Sequence, residues 1–170
     1  MKIHLRELQK KDAYGMIEWM TDPSITCFFQ FDATKITIES CLEFIAAANK
    51  NPECRHYAIA DEEDNYLGTI SLKDIDTEKK SAEYAISTRN CAHGTGAAMQ
   101  ATEEVLKIAF EELHLERVYL NVLVENTRAN AFYRKVGFRY ERCEENSINI
   151  RNEWKDLNWY AISREDFLKV

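Results

Sequence analysis

Hydrophobic and polar positions change period four times between Ser81 and Phe138. Ser81 to Ser87 is apolar or aromatic at alternate places, which predicts a strand. A polar loop, Thr88 to His93, leads into Gly94-Thr95-Gly96. Ala98, Ala101, Val105, Ile108 and Ala109 then recur at helical spacing, so a helix is expected to about Leu113. Val118 to Val124 reads as a second strand, and Ala129 to Val136 as a short helix stopped by Gly137.

The flanking chain carries weaker periodicities of the same kinds. Ile3, Leu5 and Leu8 predict a first strand, and Asp12 a cap for a helix with Ala13, Met16, Ile17 and Met20 on one face. Asp22-Pro23 ends that helix. Thr37 is placed to cap a second helix whose apolar stripe is Ile38, Cys41, Leu42 and Ile45. Arg55 to Ala60 and Tyr66 to Leu72, separated by the polar run Asp61 to Asn65, predict a hairpin, with Gly68 as a possible bulge. After Phe138 a charged stretch, Glu144 to Asn146, precedes a last hairpin: Ile148 and Ile150, a turn at 151–153, then Trp154 to Ile162. Nothing resembles a repeat or a linker, so residues 1–170 are read as one domain.

Composition narrows the function classes. The net charge is −7, with 29 acidic against 22 basic residues, which argues against general nucleic-acid binding. No apolar run reaches membrane-spanning length, and MKIHLREL lacks a signal-peptide core, so a cytoplasmic protein with no membrane partner is expected. Five cysteines at irregular spacings suggest reduced, buried thiols. The four histidines show no ligand spacing, so no metal is expected.

A strand running into a glycine-bearing turn and then a helix suits an anion. Glycine permits positive φ and close approach, and the first helical N–H groups lack intrahelical partners. Alone, this is also the ordinary geometry of a strand-to-helix junction. No Walker A lysine follows, and the dinucleotide fingerprint lacks its third glycine.

Further residues fall in order. Asn126 follows the second strand, then Ala129 or Ala131, Tyr133, and Gly137-Phe138. Together with Cys91-Ala92-His93-Gly94-Thr95-Gly96 this resembles the GNAT superfamily of N-acetyltransferases, whose loop has the form Arg/Gln-x-x-Gly-x-Gly/Ala. Cys91 departs from that pattern, with Arg89 close by as a substitute. The Trp-bearing final hairpin is similar to the RimJ/RimL-like branch. The resemblance implies a mixed α/β (α+β) fold: a mostly antiparallel sheet of about seven strands, splayed between the fourth and fifth and flanked by about four helices.

It also implies acetyl-CoA as co-substrate and a primary amine as acceptor. The diphosphate would sit on the amides of His93, Gly94, Thr95, Gly96, Ala97 and Ala98, and the pantetheine arm against backbone near Ile86 and Ser87. Asn126 either bonds that arm or caps the following helix. Tyr133 occupies the family's acid position, the other reading being a core tyrosine. Glu83, acidic within an apolar strand, is the candidate base if burial raises its pKa, and a solvent-facing residue otherwise. The aromatic segment Cys27 to Phe31 is either core or, as the resemblance implies, the acceptor side, with Phe29 and Gln30 as contacts. A protein N-terminus and a small amine such as an amino sugar both remain open as acceptors. The protein is expected to be a monomer or homodimer. The alternative is a non-catalytic acyl-CoA-binding or regulatory module.

Overall fold

The computed structural model describes residues 1–169. Seven strands lie in one sheet: β1 (Ile3–Glu7), β2 (Arg55–Asp61), β3 (Tyr66–Asp76), β4 (Ser81–Thr88), β5 (Arg117–Leu123), β6 (Arg139–Ile150) and β7 (Glu153–Ser163). Their order is β1-β2-β3-β4-β5-β7-β6, antiparallel throughout except for β4 beside β5. The helices are α1 (Ala13–Met20), α2 (Pro23–Thr26), α3 (Ile38–Ala47), α4 (Ala97–Lys107), α5 (Thr127–Val136) and α6 (Arg164–Leu168), with a π-helical turn, Ile108–Glu112, prolonging α4. Four are of ordinary length, and α2 and α6 are single turns. No helix among the described residues is long and apolar enough to cross a membrane.

Strand alternation divides the apolar side chains between two faces. Ala58 and Tyr66 pack with Leu8, Met16, Trp19, Cys41 and Ile45, beneath α1 and α3. Ile59, Ile70 and Leu72 pack with Ala101, Val105 and Phe110, beneath α4 and its extension. The central strand β3 is therefore buried on both faces from Tyr66 to Leu72. The α3 start is built as expected: Thr37 Oγ1 accepts from the Ser40 N–H, and Ser40 Oγ from that of Thr37.

The feature that positions the site is a split in the sheet. β4 and β5 pair only at Ser81 with Arg117, Ala82 with Val118, and Glu83 with Tyr119. Beyond Glu83 each strand keeps its outer partner, β3 or β7, and the two diverge. Tyr84 stands at the first unpaired position. Its ring meets Tyr133 and Phe138 at 5.8 and 5.4 Å, and its hydroxyl pairs with Thr102 Oγ1 at 2.8 Å. Gly68 holds β3 close to the unpaired part of β4. The register slips beside it, and a β-carbon there would lie 2.4 Å from the Ser87 carbonyl oxygen.

Three expectations need correction. Asp12 does not cap α1. Arg6, reaching across from β1, takes both its oxygens at 2.8 and 2.9 Å, and the Gln9 N–H donates to it at 2.8 Å, which is how the carboxylate tolerates near-complete burial. The cysteines are not generally buried: Cys41 is, while Cys27, Cys91 and Cys143 are exposed. The first strand of the last hairpin is not confined to Ile148 and Ile150: β6 begins at Arg139 and takes in the charged stretch Glu144 to Asn146. As an edge strand with one neighbour, β6 can carry polar side chains on its solvated side. It turns into β7 through Arg151 and Asn152, at φ 50° and 66°, the positive angles of a two-residue hairpin.

Candidate active site

A cleft of about 680 Å³ opens where β4 and β5 part. One end is the glycine turn. Gly94 and Gly96 have φ of 75° and 83°, and a β-carbon on Gly94 would meet nothing within 4 Å. The left-handed angles turn successive N–H groups to different sides. His93 N–H donates to Asn90, Thr95 N–H to Ala92, and Ala97 N–H to Thr95 Oγ1, so these three are consumed in folding the turn. No protein group among the described residues accepts from the N–H groups of Gly94, Gly96, Ala98 and Met99. Of the six amides expected to bind an anion, alternate ones are free, and Met99 adds a fourth. Free donors at the positive end of α4, in an open cradle, fit a diphosphate.

Nearby side chains complete this end. Arg128, at the start of α5, lines the cleft with its Nη1 3.3 Å from His93 Nδ1. Burial, and then the Arg128 charge, pushes His93 below the usual imidazole range. Lys135, two turns beyond Arg128 on the same helix, also lines the cleft. Arg89 does not substitute for the missing basic residue at Cys91. It is committed to Glu18, at 2.6 and 3.2 Å, and to the Tyr66 carbonyl at 2.9 Å.

Along the middle, β4 from Tyr84 to Thr88 has no partner strand on the β5 side, so Ile86 and Ser87 border the cleft beside exposed backbone. Asn126 does cap α5, its Oδ1 accepting from Ala129 N–H at 3.2 Å, while its amide nitrogen has no partner among the described residues. Both readings of that residue are therefore physically compatible. Asn130 was not anticipated. Its amide donates to the carbonyls of Leu123 and Asn126, and its oxygen accepts from Asn158 and from Tyr160 at 2.8 Å. This buried knot fixes α5, and with it Tyr133, against the end of β5 and the middle of β7.

Tyr133 sits with its ring among Tyr84, Phe132, Phe138 and Tyr160. The residue is 9% exposed and lines the cleft. Its hydroxyl has no partner among the described residues and is not sealed from solvent, so it opens on the cleft that the residue lines. Burial raises its pKa to about 12. Glu83, at the apex of the split, also lines the cleft. Asn121 Nδ2 donates to its Oε1 at 3.1 Å from β5, and Lys73 Nζ lies 3.7 Å from its Oε2 on β3. Its side chain is 20% exposed, so it is neither sealed in the core nor turned to bulk solvent.

The other end is walled by Ser24, Ile25, Phe28, Phe29 and Gln30, with Ile148 and Leu157 from the last hairpin. Phe29 stacks on Phe31 at 5.5 Å and tilts against Trp19 at 6.1 Å. Gln30 Nε2 donates to the Asn149 carbonyl at 3.1 Å, and Arg151 Nη2 to that of Thr26, also at 3.1 Å. The aromatic connection is thus tied to the β6–β7 turn.

Comparison with known proteins agrees with this architecture. Residues 2–139 match the family described as acetyltransferase (GNAT) domain. A spermidine N(1)-acetyltransferase of Vibrio cholerae is 28% identical over 114 residues, which span 67% of this chain and 66% of that protein. A ribosomal-protein-serine acetyltransferase of Escherichia coli is 26% identical over 99 residues, 58% and 55% of the two chains. The matched stretches thus cover less than two thirds of those relatives. In fold the agreement is wider. The crystal structure of the Vibrio spermidine N-acetyltransferase in complex with CoA and spermine superposes with a TM-score of 0.88, at 23% identity, covering 98% of both chains.

Proposed function

The chain belongs to the GNAT acetyltransferase family, and from that premise we propose that it transfers the acetyl group of acetyl-CoA to a primary amine by direct attack. The acceptor is a protein N-terminus or a small amine such as an amino sugar. The observation that carries this reading is the row of free N–H groups at Gly94, Gly96, Ala98 and Met99, opening on the same cleft as the Tyr133 hydroxyl.

Those donors hold the diphosphate of the co-substrate, with Arg128 and Lys135 supplying positive charge beside it. The free edge of β4 near Ile86 and Ser87 and the spare amide of Asn126 take the pantetheine arm as an added strand would be taken. An alkylamine arrives protonated, with a pKa of about 10.4 for a lysine-like group. Glu83 takes that proton, directly or through water, with Asn121 and Lys73 orienting its two oxygens. The freed nitrogen attacks the thioester carbonyl; the C–N bond forms and the C–S bond breaks. Tyr133 gives its hydroxyl hydrogen to the departing sulfur as the second proton shed by the nitrogen passes to its oxygen, so no free phenolate remains. The products are the amide, the free thiol and one proton released to solvent.

Thiol release from acetyl-CoA with a panel of amines tests this. Release that depends on an amine supports it. Tight binding of acetyl-CoA without turnover of any amine would instead mark a coenzyme-binding module.

A further inference from the structure

The acceptor end of the cleft is poor in negative charge, although the chain as a whole is acidic. Among the described residues lining the cleft, Glu83 is the one carboxylate, and Lys73 faces it at 3.7 Å. The two aspartates of the neighbouring connection are already engaged. Asp22 accepts from Ser24 N–H, Ser24 Oγ and Asn90, and Asp32 from Thr34 N–H and Oγ. What remains is apolar or neutral: Phe28, Phe29, Ile25, Ile148 and Leu157, with Ser24, Gln30 and Asn121 as uncharged polar groups.

We propose, resting on the acetyltransferase reading above, that the acceptor carries a single positive charge on the amine that reacts. Its body is uncharged, with a ring or other apolar face lying against Phe28 and Phe29, and Lys73 turns polyamines away. One ammonium finds its partner in Glu83. Each further ammonium of a polyamine would leave water for a wall with no free carboxylate, while approaching the Lys73 charge. An apolar face instead gains contact with a wall already held by Gln30 and Arg151. The uncharged polar groups suit hydroxyls or amides on the acceptor.

The test measures thiol release for spermidine, glucosamine and phenethylamine with the wild type and Lys73→Glu, alongside calorimetric binding of acetyl-CoA. A ring-bearing monoamine should exceed spermidine by at least about tenfold in kcat/KM, equivalent to about 1.4 kcal/mol. Lys73→Glu should shrink that ratio, because any loss in orienting Glu83 falls on both amines while the new carboxylate favours spermidine alone. Acetyl-CoA bound with spermidine preferred, with no amine turned over, or with the ratio unmoved by Lys73→Glu would overturn this inference and leave the coenzyme site standing. Failure to bind acetyl-CoA would overturn the transferase reading itself.

Discussion

Replacing Tyr133 by Phe separates the chemistry of its hydroxyl from the packing of its ring. The ring contacts with Tyr84, Phe132 and Phe138 survive, and the hydroxyl has no partner among the described residues to orphan. The fold should therefore lose well under about 1 kcal/mol, because the usual cost of an unmade buried hydrogen bond does not arise. The rate should fall. A hydrogen bond to a charged group contributes about 1.5–3 kcal/mol, and about 1.4 kcal/mol is tenfold, so kcat should drop by roughly 10- to 150-fold. The effect should not reach the top of the range for general acids, about 10⁴. A phenol raised to about 12 is a weaker acid than a thiol of about 8.5, so in the proposed reaction Tyr133 gives up its hydrogen only as the nitrogen's second proton replaces it. Stopped-time thiol release, calorimetric acetyl-CoA affinity and thermal unfolding together decide the matter. Unchanged turnover refutes the assignment, and a large fall in Tm would show that the ring was misread.

Tyr160→Phe is the opposite case. Its hydroxyl donates to Asn130 in a fully buried site, so stability should fall by about 1–3 kcal/mol, seen as several degrees in Tm. Gly68→Ala would press a β-carbon onto the Ser87 carbonyl, which belongs to backbone and cannot swing aside. Stability should fall by about 1–3 kcal/mol and acetyl-CoA affinity with it, measurable by denaturant unfolding and calorimetry. Glu83→Gln keeps an acceptor for Asn121 but cannot take a proton. It should lower kcat at least about 10²-fold and erase the acidic limb of the pH–rate profile; an unchanged profile removes the base. Hydrogen bonds from Lys11 and then Arg6 hold Asp64 down to about 2. A depressed carboxylate stabilises the folded state above its unfolded value of about 3.9 and loses that contribution as pH falls through the folded value. Acid unfolding between about pH 4 and pH 2 should therefore be shallower in Asp64→Asn.

Much of the frame was legible because it is written in local periods and local caps. Thr37 with Ser40 and Asn126 with Ala129 are three residues apart, and the strands alternate within themselves. The glycine turn was visible too, but not which of its amides are free, because Thr95 and Asn90 consume alternate donors only once the turn is folded. Groups brought together from distant segments were not readable. Arg6 claims Asp12 from a strand, Glu18 claims Arg89 across 71 positions, and Lys73, Glu83 and Asn121 converge from three strands. Asn130 gave only a faint signal, as a polar residue on the buried side of an amphipathic helix. Its four partners could not be inferred without the β7 register.

The central claim concerns four backbone amides, and they can be watched directly. In a titration of ¹⁵N-labelled protein with coenzyme A, Gly94, Gly96, Ala98 and Met99 should show the largest amide shifts, followed by Tyr84 to Thr88 along the open strand edge. Shifts clustered elsewhere, with those four amides unmoved at saturation, would contradict the account.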